Sequence, residues 1–261
     1  MVRALPFYQV DPFTDRVFRG NPAGVVPLAE WLPDEAMQAI GMENNLPETA
    51  FFVKDGDEWD LRWFTPTVEM DLCGHATLAS AFVIATYLEP GRTAFRFRSM
   101  SGPLSVTRRP DGLYALDFPA WPGTACKVPP GLVEGLGPKP DEVLANRDYL
   151  VVFPRESHVA GLKPDFDRIA KLDRPVIVTA PGEGCDFVSR YFAPGRGIPE
   201  DPVTGSTHCT LVPYWSKRLD KRRLFARQLS SRAGELHCED LGERVLIAGN
   251  AVCYLVGTLH V

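Results

Sequence analysis

The stretch FTPTVEMDLCGHATLASAFVIATYLEPG, from Phe64 to Gly91, contains the segment that decides the fold. From Ala76 to Leu88 it is apolar nearly all round, and it ends at Pro90-Gly91. A helix without a polar face has to be enclosed by protein on every side. The stretch therefore predicts a central buried helix with His75 at its first position.

A second stretch, FAPGRGIPEDPVTGSTHCTLV from Phe192 to Val212, resembles the first. Both contain Phe-x-Pro, a later acidic residue, a glycine followed by His or Ser, and a Thr-Leu pair. The repeat predicts an α+β fold of two similar domains, each an antiparallel sheet curled round one buried helix. The second helix is expected to begin at the capping pair Asp201-Pro202.

Short strand-like runs, punctuated by 24 prolines and 22 glycines, surround these two segments. Alternating apolar residues between 94 and 118 predict hairpins. Further strands are expected at 3–10, 23–27, 50–54, 59–64, 149–153, 175–179, 186–192, 244–248 and 251–260. Other helices should begin at Asp34 and at Pro164 or Asp165.

The proline-rich stretch FPAWPGTACKVPPG, from Phe118 to Gly131, has the composition of a linker. It lies midway between the two similar segments. It divides the chain into an N-terminal domain at 1–118, a linker at 119–130 and a C-terminal domain at 131–250.

The composition of the 261 residues is that of an ordinary globular protein, with 45% hydrophobic and 23% charged residues. A net charge of −5 argues against nucleic acid or an anionic membrane as the main partner. No apolar stretch reaches the ~20 residues that span a bilayer, and the N-terminus lacks the apolar core of a signal peptide. We therefore expect a cytoplasmic protein. The six cysteines form no CxxC pair, so no metal site is predicted.

The start of each buried helix is the candidate site. Unpaired N–H groups and the positive end of the helix dipole attract an anion there, and two such ends across an interdomain cleft could hold a carboxylate. The nearby side chains are those of Cys73, His75, Asp201, Thr204, Ser206 and His208. Asp201, Thr204 and Ser206 are also ordinary capping residues, and His208 one turn inside its helix also fits a satisfied core histidine.

A carboxylate at the mouth of an apolar strand completes the set. In ENNLPETAFFV, from Glu43 to Val53, Glu48 follows a turn and precedes an apolar run. No nucleotide or phosphate motif is evident, so the residues favour acid/base chemistry on a small carboxylate without a cofactor.

The motifs DPFT…FRGNPAGVV, NLPETAF, LRWFTP, LCGHATLA, EDPVTGSTHC and ARQLSSRAGEL occur in the order found in phenazine-biosynthesis PhzF-like proteins. The chain resembles this family over essentially its whole length. The family belongs to the diaminopimelate-epimerase and proline-racemase superfamily. The resemblance implies a barrel-like sheet round a central helix in each domain, with 251–261 returning to the first domain. It also implies an isomerase of phenazine-biosynthesis-like type, with a homodimeric assembly.

The resemblance assigns roles residue by residue. Glu48 matches the catalytic glutamate, which removes a proton from the substrate and returns one elsewhere. His75 and Asp201 match residues that orient the substrate and help proton transfer. Substrate binding falls on Cys73 and on the backbone N–H groups of Gly74, Gly205 and Ser206. One departure is Ala233, which stands where a glycine is usual and puts a glycine-dependent turn in doubt.

Three functions remain open from the sequence. The first is a cofactor-independent isomerase that shifts a proton on a small cyclic or unsaturated carboxylate. The second is an epimerase or racemase that uses Glu48 and Cys73; Thr204 stands where a second thiol would be needed, which disfavours a two-thiol mechanism. The third is a non-catalytic homodimeric binding or regulatory protein. The substrate itself is not specified by any residue pattern.

Overall fold

The structure is a computed structural model that describes residues 3–261. These residues divide into two compact units. The first unit comprises the described residues up to Asp117 together with Ala248–Val261, and the second comprises Phe118–Ile247. Residues 119–130, for which the sequence predicts a linker, lie in the second unit. The fold is α+β, as predicted.

The first unit is built from eight strands and two helices before the chain leaves it. The strands are β1 (Ala4–Pro12), β2 (Ala23–Leu28), β3 (Glu48–Asp55), β4 (Glu58–Phe64), β5 (Glu69–Met70), β6 (Ala94–Ser99), β7 (Gly102–Arg108) and β8 (Tyr114–Pro119). Helix α1 (Asp34–Asn44) precedes β3, and helix α2 (Gly74–Val83) continues into a π-helical turn, Ile84–Leu88.

The second unit contains four helices, three of them short. Its helices are α3 (Leu132–Leu136), α4 (Glu156–Ala160), α5 (Phe166–Ile169) and α6 (His208–Leu219). Its strands are β9 (Thr124–Ala125), β10 (Glu142–Ala145), β11 (Tyr149–Val152), β12 (Val176–Pro181), β13 (Phe187–Phe192), β14 (Arg223–Gln228), β15 (Gly234–Asp240) and β16 (Arg244–Gly249). A 3-10 turn, Pro194–Arg196, follows β13.

The two units repeat the same succession of strand pairings. In the first, β1–β2 is antiparallel, β2–β3 parallel, β3–β4 antiparallel, β4–β6 parallel and β6–β7 antiparallel. In the second, β10–β11, β11–β12, β12–β13, β13–β14 and β14–β15 follow that order of directions. The two similar halves inferred from the sequence repeat are therefore confirmed, with two parallel pairs within each mainly antiparallel sheet.

The last strand, β17 (Ala251–His260), belongs to the first unit. It pairs antiparallel with β1 over the whole length of that strand, from Ala4↔His260 to Pro12↔Ala251. The C-terminal segment thus completes the sheet that the N-terminal segment begins.

Helix α2 is the buried helix of the first unit. Nine of its ten residues are buried, which agrees with its apolar sequence. Its buried hydroxyl groups are satisfied within the helix, since Oγ of Ser80 donates to the carbonyl of Ala76 at 2.8 Å and Oγ1 of Thr77 donates to the carbonyl of Cys73. The helix therefore carries no unmet polar side chain into the core from these positions.

Helix α6 begins later than the sequence predicted. It starts at His208, and residues 201–207 form a turn before it. Nε2 of Gln228 donates to the carbonyl of Asp201 at 2.9 Å, and Oγ1 of Thr207 donates to the carbonyl of Thr204 at 2.8 Å. Side chains thus engage carbonyl groups that would accept the first hydrogen bonds of an earlier helix, and the expected start at Asp201-Pro202 is wrong.

Within residues 3–261, no helix combines the length and the apolar character that crossing a membrane requires.

Candidate active site

Glu48 stands at one end of the first unit's sheet. It is the first residue of β3, and it pairs in register with Ala23, the first residue of the parallel strand β2. Parallel strands that begin together bring the residues at and before their starts to the same edge. Glu48 is only 8% exposed there, so its carboxyl group is enclosed by protein.

His75 and Cys73 occupy the start of helix α2. Cys73 is the N-cap residue and His75 is the second residue of the helix. Both side chains are buried. The backbone N–H groups of the first turn, including that of Gly74, have no acceptor within a helix, and they lie at the positive end of the helix dipole. The helix start therefore combines an imidazole, a thiol and an anion-binding backbone.

The closest contact in this group joins Glu48 to His75. Oε2 of Glu48 lies 2.9 Å from Nε2 of His75. Oε2 is nonetheless a buried oxygen without a hydrogen-bond partner among the described residues, because short distance alone does not give the required geometry. A buried carboxylate oxygen with unused acceptor capacity is able to receive a proton from a bound molecule.

The other ring nitrogen of His75 faces two further side chains. Nδ2 of Asn21 lies 3.3 Å from Nδ1 of His75, and Sγ of Cys73 lies 3.5 Å from the same nitrogen. Asn21 is fully buried in the loop between β1 and β2. An amide can serve Nδ1 in either protonation state, through its NH2 group or, turned over, through its oxygen. Asn21 is therefore suited to hold the ring with Nε2 directed towards Glu48.

The neighbours of His75 also set its charge. Burial by itself disfavours the protonated ring, but the adjacent Cys73 and Glu48 side chains outweigh that effect and raise the pKa of His75 well above its ordinary value. Burial, reinforced by the charge of Glu48, raises the pKa of the Cys73 thiol. The carboxylate of Glu48 thus favours both a proton on the imidazole ring and a proton on the thiol.

One potential ligand atom from each of Glu48, Cys73 and His75 lies within 4.8 Å of the others, a grouping that metal sites also show. Two ligands at about 2.0 Å from a tetrahedral ion lie about 3.3 Å apart. The separation of Oε2 and Nε2 is shorter, at 2.9 Å. As the side chains stand, this separation is shorter than a tetrahedral ion requires.

The remaining predicted residues, Asp201, Gly205 and Ser206, lie in the turn before α6 in the second unit. Oγ1 of Thr204 donates a hydrogen bond to Oδ2 of Asp201. Gln228, from β14, bonds to the same turn. The structure thus groups Glu48, Cys73, Gly74 and His75 in the first unit, and groups the other three predicted residues in the second.

His208 has a structural role. It is fully buried, and its Nδ1–H donates to the carbonyl of Thr204 at 3.0 Å. Burial lowers the pKa of His208 to about 4, against a smaller opposing effect of this hydrogen bond. The ring is therefore neutral at pH 7. Its hydrogen bond joins His208, the first residue of α6, to Thr204 in the preceding turn.

Two buried amides, Asn21 and Gln228, were not among the residues selected from the sequence. Asn21 lies in FRGNPAGVV, a motif that carries the family resemblance without assigning a role to this asparagine. Gln228 ends β14, where the alternation of Leu224 and Ala226 places the next side chain in the core. A polar residue at a position that alternation assigns to the core is the signal that could have revealed Gln228.

Comparison with known proteins supports one family. The family model described as "Phenazine biosynthesis-like protein" matches residues 10–122 and 136–257. An uncharacterized isomerase of Pseudomonas aeruginosa is 54% identical over 258 residues, which cover 98% of this chain and 99% of the relative. A phenazine biosynthesis-like domain-containing protein of Homo sapiens is 38% identical over 286 residues, with 98% and 99% covered.

Solved structures agree with these relatives. The crystal structure of a PhzF-family phenazine biosynthesis protein from Enterococcus faecalis superposes with a TM-score of 0.96 at 47% identity, covering 99% of this chain and 100% of the other. A hydroxyproline epimerase from Agrobacterium vitis has a TM-score of 0.61 at 8% identity, covering 99% and 93%. The second likeness shows a shared fold alone.

These findings define the chain first as an isomerase with an epimerase-like fold. More particularly, it belongs to the phenazine biosynthesis-like (PhzF) family.

Proposed function

We propose that the protein is a cofactor-independent isomerase that moves a proton between two carbons of a small cyclic or unsaturated carboxylate. The observation that carries the proposal is the buried Oε2 of Glu48, which has no hydrogen-bond partner among the described residues and lies 2.9 Å from Nε2 of His75. Glu48 is proposed to remove a proton from one carbon and, after its carboxyl proton has exchanged with solvent, to return a proton to another carbon, so one carboxyl group serves as base and then as acid.

The start of helix α2 supports a negatively charged substrate. The N–H groups of Gly74 and its neighbours favour a carboxylate, and they also favour the negative charge that develops when a carbon next to a conjugated system loses its proton. The protonated ring of His75 adds a positive charge beside the base. Asp201, Gly205 and Ser206 enter the proposal through the family resemblance, as residues that orient and bind the substrate.

An epimerase that uses Glu48 and Cys73 is the second candidate, because Sγ of Cys73 lies 3.5 Å from Nδ1 of His75. Its weakness is the raised pKa of the Cys73 thiol. A two-base epimerase needs the thiolate of Cys73 as the base in one of its two directions, and the raised pKa disfavours that thiolate.

The position of deuterium incorporation distinguishes the two candidates. A panel of cyclic and unsaturated carboxylic acids, including a dihydro-hydroxyanthranilate, is incubated with the protein in D2O and followed by NMR. We expect deuterium at a carbon other than the one that loses its proton, together with a shifted double bond. Deuterium confined to one stereocentre with inversion would instead establish the epimerase, and no enzyme-dependent incorporation into any acid would contradict both.

A further inference from the structure

The side chain of Gln228 is directed entirely to one turn. Gln228 is fully buried at the end of β14, where it pairs with Gly234 of β15 and Ser189 of β13. Its Oε1 accepts from the N–H of Thr204 at 2.9 Å, and its Nε2 donates to the carbonyl of Asp201 at 2.9 Å and to Oγ1 of Thr204 at 3.1 Å. All three contacts therefore reach residues 201–204.

These contacts determine the direction of the hydrogen bonds. A backbone N–H only donates, so the atom of Gln228 that faces Thr204 N must be the oxygen. The NH2 group then faces the carbonyl of Asp201, which only accepts, and also donates to Oγ1 of Thr204. Because Oγ1 of Thr204 accepts a hydrogen from Nε2 of Gln228, the hydroxyl hydrogen of Thr204 points away from Gln228. Oδ2 of Asp201 is the acceptor that it meets.

We propose that Gln228 is a positioning residue that acts through Thr204 to orient the carboxylate of Asp201. This inference rests on the proposed function for its meaning in catalysis, because Asp201 is assigned there as a substrate-orienting group. This series of hydrogen bonds runs from the amide of Gln228 on strand β14, through the hydroxyl of Thr204, to Oδ2 of Asp201. It restricts the rotation of that carboxylate, because a rotated Asp201 leaves the Thr204 hydroxyl without the acceptor at which it points.

The test uses the full-length protein and needs no substrate. The protein is labelled with ¹³C at aspartate carboxyl carbons, and the Asp201 resonance is assigned by its disappearance in Asp201→Asn. The spectrum is then recorded for Gln228→Leu, Thr204→Val and Thr204→Ser. Thr179→Val is the matched control, because Thr179 is a fully buried threonine of the second unit whose Oγ1 donates to Val188 and accepts from Trp215.

We expect the Asp201 resonance to shift in Thr204→Val and in Gln228→Leu, and to return to its original position in Thr204→Ser, which keeps the hydroxyl. Thr179→Val should leave it in place. An unchanged Asp201 resonance in folded Thr204→Val would overturn the proposal, and so would an equal shift in Thr179→Val. If Gln228→Leu does not fold, Thr204→Val and its serine rescue still decide whether the hydroxyl orients the carboxylate. Gln228→Glu then takes the place of Gln228→Leu, because it keeps an acceptor for the N–H of Thr204 and loses both donor hydrogen bonds.

A second measurement separates this inference from the proposed function. With any acid that shows deuterium incorporation, kcat should fall by about tenfold in Thr204→Val, as expected for the loss of one buried hydrogen bond to a charged group. The double variant with Gln228→Leu should lose no more than the worse single variant, because both act through one chain. Additive losses of kcat in the double variant would contradict a single series of hydrogen bonds from Gln228 to Asp201. If the Asp201 resonance shifts but kcat does not change, the hydroxyl of Thr204 still positions Asp201. That result would contradict a role of Asp201 in the reaction.

Discussion

Nε2 of His75 lies 2.9 Å from Oε2 of Glu48, a contact that joins the start of helix α2 to the start of strand β3. The two residues lie in different elements, and the parallel pairing of β2 with β3 fixes the sheet edge at which Glu48 lies. A proton shift between two carbons needs one group that takes a proton and a neighbour that stabilises the charge. In the proposed reaction, this pair supplies both groups inside a protein-enclosed site.

Replacing Asn21 tests whether the ring of His75 is held in position. Asn21→Leu removes the amide that lies 3.3 Å from Nδ1 of His75 while keeping a side chain of similar size. Loss of one buried hydrogen bond costs about 1–3 kcal/mol, so we expect kcat to fall by about 10- to 100-fold. Steady-state kinetics on an exchange-active acid measures the loss.

Ser80→Ala is the control for Asn21→Leu. The variant removes a buried hydroxyl of α2 that donates to the carbonyl of Ala76. Since this hydrogen bond is worth about 1 kcal/mol or less, the variant should keep kcat within about threefold of the wild type. Equal losses in the two variants would indicate a general effect of core polar groups and not a role of Asn21 at His75.

Replacing Cys73 tests the thiol mechanism. Because the pKa of the Cys73 thiol is raised by burial and by Glu48, we expect Cys73→Ser to keep the position of deuterium incorporation and to lose less than about tenfold in rate. An enzyme whose thiol is a catalytic base loses far more, since a serine hydroxyl is a much weaker base at neutral pH. A loss of three orders of magnitude would favour the epimerase.

His208 should make the protein sensitive to acid. Its pKa is about 4 in the folded chain and about 6.5 in an unfolded one. Between these values the unfolded state binds the proton and the folded state does not, so stability is complete above about pH 6.5 and is lost as the pH falls towards 4. The difference corresponds to about 2.5 kcal/mol between pH 8 and pH 4.5.

Urea unfolding of the wild type and of His208→Gln measures this effect. Glutamine keeps a donor for the carbonyl of Thr204 but does not titrate. Subtracting the variant's free energy of unfolding from that of the wild type at each pH therefore removes the contributions of other groups, including His75, whose pKa is raised and whose effect has the opposite sign. We expect the wild type to lose its advantage over the variant as the pH falls. A difference that is constant with pH would show that His208 titrates normally.

Ala233 adopts a conformation that favours glycine. Its φ is 55°, and its N–H donates to Oγ of Ser230 at 2.9 Å. The turn for which the resemblance implies a glycine is thus formed with alanine, at a cost of about 1 kcal/mol. Ala233→Gly should raise the free energy of unfolding by up to about that amount. Ala36→Gly, within helix α1, should lower it by a similar amount, and destabilisation by both would contradict the argument.

Much of the fold could be predicted from local patterns. Helix α1 begins at Asp34, and the hairpins between 94 and 118 form as the alternation of apolar residues predicts. The all-apolar sequence after His75 predicted the buried helix α2. These features depend on residues that are near one another in the chain, so propensity and periodicity are enough to find them.

The errors and omissions involve contacts between distant residues. The sequence predicts a start of α6 at Asp201 because Asp-Pro is a good helix start, but Nε2 of Gln228, from the distant strand β14, donates to the carbonyl of Asp201. Asn21 lies 54 positions from His75. A local pattern carries no information on either partner, and only the pairing of the strands brings these side chains together.

Glu48→Gln tests the central claim most directly. The variant keeps the size of the side chain and removes its ability to take a proton, and Glu43→Gln, at an exposed glutamate at the end of α1, is the control. On an exchange-active acid in D2O, we predict that Glu48→Gln incorporates deuterium about 10²- to 10⁴-fold more slowly, with ligand binding retained and with Glu43→Gln unchanged. Deuterium incorporation by Glu48→Gln at the wild-type rate would contradict the assignment of Glu48 as the base.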